Sequence, residues 1–229
     1  PCIILKDPQL PENIGMCARS MLNYGFSDLR IVNPKKAFPN DRAISASAGA
    51  FDKINKKTRV FYNLEEAMKS IKILFATSVR VRDLEKNILT PREAIKLIIK
   101  KYKYSKIGFL FGPEKAGLNN TDLSEANFII QIPTNPGFGS LNLAMAVNII
   151  CYEWFINYHK KISIDISKNI EVVDKKKLTN FKKFLIENIN ESGFFKNKES
   201  EKLETNVKNI FSKSLLTNKE LLMLYGIIK

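Results

Sequence analysis

The 229-residue sequence holds one histidine, His159, and three cysteines, Cys2, Cys17 and Cys151. A single histidine argues against a Ser-His-Asp triad and against a histidine-based metal site. Three cysteines without a CxxC pair argue against a zinc cluster and for a reducing compartment. Long apolar runs are also missing. The longest, such as 71–76 (interrupted by Lys72) and 107–111, fall far short of the roughly 20 residues needed to span a bilayer. No charged-then-apolar leader opens the chain, and residues 1–5 read as a first strand. These absences point to a soluble, cytoplasmic chain with no metal and no membrane span.

What is present is an ordinary globular balance of 45% hydrophobic and 26% charged residues. The charge is lopsided: 37 Lys plus Arg face 23 Asp plus Glu, a formal net charge of +14. Charge alone leaves two readings open, a polyanionic partner or a lysine-rich compositional bias shared with the many Asn and Ile.

Strand-like and helix-like patterns alternate through the first two thirds. Short apolar runs predict strands over 2–5, 29–32, 73–77, 107–111 and 128–132. Helical spacing covers 14–24, 64–70 and 94–102, the last opened by Thr90-Pro91-Arg92-Glu93, a capping box with Pro at the first helical position. Such alternation predicts an α/β domain with a mainly parallel sheet, whose ligands collect beyond the C-terminal ends of the strands. A helix over 140–158 is apolar on nearly all sides, so it should be buried on more than one, in a core or an oligomer interface. The expected division is a domain over 1–161, a polar linker over 162–173 and a helical extension over 174–229. That extension carries three amphipathic stretches: Leu178 to Ile189, stopping at Gly193; Leu203 to Ile210; and one opened by the capping box Thr217–Glu220.

Two phosphate-binding signatures fail. Gly112-Pro113-Glu114-Lys115-Ala116-Gly117 has P-loop glycine spacing, but Leu118 and Asn119 stand where Lys and Ser/Thr are needed. Gly137-Phe138-Gly139 has no third glycine and no strand directly ahead, so the dinucleotide fingerprint is not met.

Three other segments stand out. The first is Pro11-Glu12-Asn13-Ile14-Gly15, leading to Arg19. The second runs from Phe109 to Leu118 through Gly112-Pro113-Glu114. The third is Ile132-Pro133, a glycine-rich loop, then Ser140-Leu141-Asn142-Leu143-Ala144. In this order they resemble motifs 1, 2 and 3 of the SPOUT RNA methyltransferases. Thr77-Ser78-Val79-Arg80-Val81-Arg82, Gly193-Phe194-Phe195 and Glu220 to Ile227 further resemble the TrmJ branch, bacterial tRNA 2′-O-methyltransferases, so the likeness spans nearly the whole chain.

The resemblance implies a C-terminal trefoil knot, S-adenosyl-L-methionine as cofactor, and 2′-O-methylation of tRNA at cytidine or uridine 32 of the anticodon loop. It implies catalytic or motif roles for Arg19, Asn13, Glu114, Ser140 and Asn142. It implies cofactor contacts from Thr77, Ser78, Val79, Phe111, Gly112, Ile132, Gly139, Ser140 and Leu141, and RNA contacts from Arg80 and Arg82. It also implies a homodimer through the 140–158 helix and the 13–24 region, with Arg19 of one chain completing its partner's site. Methyl transfer from a sulfonium needs neither metal nor enzyme nucleophile, which agrees with the scarcity of histidine and paired cysteine. Arginine stays protonated in proteins, so Arg19 is read as a phosphate binder and stabiliser of the developing alkoxide rather than a base. Ribosomal RNA, another tRNA position, or a non-catalytic RNA-binding module remain open at this point.

Overall fold

The apolar runs pair into one seven-stranded sheet in the order β3-β2-β1-β6-β4-β7-β5, every paired neighbour parallel. The computed structural model describes residues 1–54, 57–79, 86–158, 172–194, 200–213 and 215–228. The strands are β1 Cys2–Lys6, β2 Asp28–Val32, β3 Thr58–Phe61, β4 Ile73–Thr77, β5 Ile88–Leu89, β6 Ile107–Phe111 and β7 Phe128–Ile130. The central strands are buried on both faces and therefore read as unbroken apolar runs. Edge strands β3 and β5 gave no such signal: Arg59 and Val60 of β3 are exposed, and β5 is two residues long.

Alternation along β1 divides the core. Ile3 and Leu5 face one cluster, with Ile14 and Met21 of α1 (Pro11–Asn23), Ile95 and Ile98 of α5 (Pro91–Lys101), and Val147 and Ile150 of α7 (Leu143–Tyr158). Cys2 and Ile4 face the other, with Ala67 and Met68 of α4 (Leu64–Met68) and Leu123 of α6 (Asn120–Ser124). Two short helices, α2 (Asp41–Ala46) and α3 (Ala50–Ile54), pack against α1. Gly15 permits that approach, because a Cβ there would lie 2.1 Å from the Ala43 carbonyl oxygen.

The extension forms α8 (Lys175–Glu191), α9 (Ser200–Lys213) and α10 (Asn218–Ile228) around Leu178, Phe181, Leu185 and Leu221. Both predicted capping boxes are present, at Thr90 with Glu93 and at Thr217 with Glu220. Among the described residues no helix is long and apolar enough to cross a membrane.

Two predicted boundaries move. The long helix starts at Leu143 rather than near Ser140, because Asn142 accepts the Ala144 N–H through its side chain and the Ala146 N–H through its carbonyl. The last central strand ends at Ile130, which leaves Ile132 in a loop. Arg80, Arg82 and most of the predicted linker lie outside the described residues.

Candidate active site

Strands β6, β4 and β7 are neighbours, so the loops leaving their C-terminal ends meet at one place. Together with the start of α7 they enclose a cleft of about 450 Å³. Its lining includes Thr77, Ser78 and Val79 after β4, Phe111 and Gly112 after β6, and Ile132, Gly139, Ser140 and Leu141 after β7. These are the nine residues to which the sequence resemblance gave cofactor contacts, drawn from three segments up to 64 positions apart. Leu118, Ile130, Ile132 and Leu141 supply apolar wall, while Thr77, Ser78, Glu114 and Ser140 supply polar groups.

The wall contributed by the β6 loop is tightly folded. A Cβ on Gly112 would sit 2.4 Å from the Leu118 backbone nitrogen, and Gly117 adopts φ +67°. Only glycine meets both conditions without displacing the loop. The β7 and β4 loops are tied together: Gln131 donates its side-chain amide to the Val79 carbonyl, and the Ser78 N–H donates to the Ile130 carbonyl.

The motif carboxylate and asparagines form a chain beside the cleft. Glu114 accepts from the backbone N–H groups of Gln9 (2.8 Å) and Leu10 (3.1 Å) and from the Asn13 amide (2.8 Å). Asn13, 2% exposed, accepts in turn from the Asn142 amide at 2.9 Å. Burial pushes the Glu114 pKa up, but the Asn13 amide and the backbone donors outweigh it and hold the carboxyl below its ordinary value. Glu114 is therefore an ionised acceptor at neutral pH, seated at the N-terminus of α1 where the helix dipole favours it. The chain ties the β6 loop to the starts of α1 and α7.

Ser140 and Glu114 line the cleft; Asn13, Asn142 and Arg19 do not. Arg19 lies six positions beyond Asn13, about 240° around the helix. It is exposed and makes no hydrogen bond or ion pair with another described residue. On α7, Met145, Tyr152 and Phe155 remain exposed at 61%, 46% and 39%, so one side of the apolar helix faces out of the single chain. Lys115 and Ala146 also line the cleft without having been singled out as site residues. Their only signal was membership of the same loops and helix, which spacing alone cannot convert into direction.

The chain matches known proteins over its length. A sequence model described as the SpoU rRNA Methylase family matches residues 1–152. The tRNA (cytidine/uridine/adenosine-2′-O-)-methyltransferase TrmJ of Pseudomonas aeruginosa (strain UCBPP-PA14) is 31% identical, covering 99% of this chain and 91% of the relative. The tRNA (cytidine/uridine-2′-O-)-methyltransferase TrmJ of Photorhabdus laumondii subsp. laumondii is 32% identical, covering 99% and 94%. The crystal structure of TrmJ from Z. mobilis ZM4 superposes with a TM-score of 0.88 at 35% identity, covering 100% of this chain and 97% of that one.

Proposed function

This chain belongs to the SpoU rRNA Methylase family, and on that premise we propose that it methylates a ribose 2′-hydroxyl of tRNA from S-adenosylmethionine. The nucleotide is a cytidine or uridine at position 32 of the anticodon loop. The observation that carries the reading is the single cleft joining the loops after β4, β6 and β7. Its apolar walls suit a flat adenine, and its backbone-lined glycine loop suits close approach of a nucleoside. The cofactor supplies a methyl group already activated on a sulfonium.

The chain's own groups do the rest. Thr77, Ser78, Phe111, Gly112, Ile132 and Leu141 would hold the nucleoside, and Ser140 would orient polar groups at the mouth. Glu114, Asn13 and Asn142 keep the loops in register. Arg19 would bind a phosphate next to the reacting ribose and stabilise the alkoxide as it forms. A guanidinium retains its proton, so its contribution is electrostatic, and the hydroxyl proton would pass to solvent as the methyl–sulfur bond breaks and S-adenosylhomocysteine leaves. Arg80 and Arg82 would grip RNA phosphates, and the C-terminal part of the chain, with 13 basic against 9 acidic residues over 165–229, would hold the tRNA body.

Because Arg19 does not line the cleft of its own chain, the reading requires a second copy. A dimer through α7 and α1 would cover Met145, Tyr152 and Phe155 and bring Arg19 to the partner's cleft. Sedimentation at micromolar concentration should give the mass of two chains; a single-chain mass would overturn this arrangement.

The function is tested by incubating the protein with tRNA and methyl-labelled S-adenosylmethionine, followed by nucleoside mapping by mass spectrometry. Label on the 2′-oxygen of nucleotide 32 is the expected result. Label confined to ribosomal RNA or to another tRNA position would replace the substrate, and no incorporation into any RNA would refute the enzyme.

A further inference from the structure

Helix α6 follows the cleft wall without a break, and its far end is held by lysines. The helix has five residues, and the carbonyls at its C-terminus have no partners within it. Lys86 donates to the carbonyls of Leu123 (2.9 Å), Ser124 (2.7 Å) and Ala126. Lys175 of α8 donates to the Glu125 carbonyl at 2.9 Å. Lys182 of α8 donates to the Glu125 carboxylate at 2.8 Å and to the Ser212 hydroxyl of α9 at 3.1 Å. All three lysines are buried, at 7%, 2% and 4% exposure. Asn127 completes the joint, accepting from the Leu74 N–H of β4 and donating to the Ser212 carbonyl.

Buried ammonium groups are costly unless compensated, and among the described residues Glu125 is the one carboxylate that accepts from them. The carbonyl ends of the α6 dipoles share the compensation. Burial, followed by repulsion from Lys182, pushes the Lys86 pKa down to about 7, with Glu125 opposing. Three carbonyl acceptors need three N–H donors, which the ammonium has and the neutral amine lacks. Apolar side chains would fill the same space without this cost, so what the lysines add is orientation. The thing oriented is α6. At its N-terminal end the Asn119–Asp122 capping box follows directly on Gly117 and Leu118, which line the cleft.

We propose that α8 and α9 are a working part of the cofactor cleft, with Lys86, Lys175 and Lys182 as positioning residues that hold α6 and the 112–118 wall. The extension thus has a task besides any contact with RNA. This inference rests on the cleft being the S-adenosylmethionine site.

The test uses the full chain, S-adenosylhomocysteine titrated by calorimetry, and steady-state methylation of tRNA. Glu125→Gln, which keeps shape, and Lys182→Met should each weaken S-adenosylhomocysteine binding about tenfold. Each should raise KM for S-adenosylmethionine in parallel and leave kcat at saturation within about twofold. Lys182→Arg should restore affinity. Unchanged affinity in either folded variant, or a loss in Lys182→Arg equal to that in Lys182→Met, overturns the proposal. If the variants do not fold, hydrogen exchange of the unmutated protein decides: S-adenosylhomocysteine should slow exchange across 119–126 and in α8, and no change there overturns it. An unmutated chain that binds no S-adenosylhomocysteine refutes the proposed function instead.

Discussion

Replacing Arg19 by alanine should lower kcat for tRNA methylation by about 10²–10³-fold while leaving the fold and S-adenosylhomocysteine affinity intact. The side chain is exposed and joined to no other described residue, so its removal should change stability by no more than about 0.5 kcal/mol. It does not line the cleft of its own chain, and in the proposed dimer it meets the RNA phosphate beside the reacting ribose rather than the cofactor, so cofactor binding should not need it. What would be lost is a fixed positive charge where negative charge develops on the attacking oxygen. Arg19→Lys keeps the charge but not the planar fork, and should recover part of the rate. The measurement is single-turnover methylation beside a thermal melt and a calorimetric titration. Undiminished methylation in Arg19→Ala would remove Arg19 from the chemistry.

The largest effect on stability is expected from the smallest substitution, Gly15→Ala. A methyl group there would stand 2.1 Å from the Ala43 carbonyl oxygen and 2.9 Å from both the Ser47 nitrogen and the Ala46 Cβ. Two of these three neighbours are backbone atoms, which cannot rotate aside as a side chain would. Helix α1 must therefore lift from α2, at a cost of about 3 kcal/mol. For a chain of this size that lowers the melting temperature by about 6–12 °C. Because α1 carries Asn13, the same displacement should break the hydrogen-bonded chain from Glu114 to Asn142, and methylation should fall with all polar residues still present. A melting temperature equal to that of the unmutated protein would show that the close contact relaxes without cost.

These two predictions mark different kinds of information in the chain. Arg19 and Gly15 belong to one seven-residue pattern, yet the proposed role of one rests on a side chain with no hydrogen bond or ion pair to another described residue, and that of the other on neighbours that approach too closely. Neither property can be read from residue type. The buried lysines show the same limit from the other side. Lys86, Lys175 and Lys182 looked like part of a general lysine excess, because a polar residue outside any motif gives no sign of burial. Only their convergence on the Glu125 turn separates them from solvated surface lysines.

Helices announced themselves where local chemistry is sufficient. The Thr90–Glu93 and Thr217–Glu220 boxes are closed within four residues, so their hydrogen bonds were foreseeable from spacing. The start of α7 was not, because Ser140 and Asn142 are both acceptable caps and the choice falls to Asn142, whose amide also reaches Asn13, 129 positions away.

By itself the sequence determined the parallel α/β class, the central strands and the capped helices, all of which follow from periodicity and short-range hydrogen bonding, while the motif residues came from the family resemblance. The tertiary structure alone decided strand order, the edge strands, the cleft joining the loops after β4, β6 and β7, the exposure of Arg19 and the lysine joint at α6. Each of these depends on which distant segments become neighbours, and that is set by burying two faces of one sheet at once rather than by any local preference.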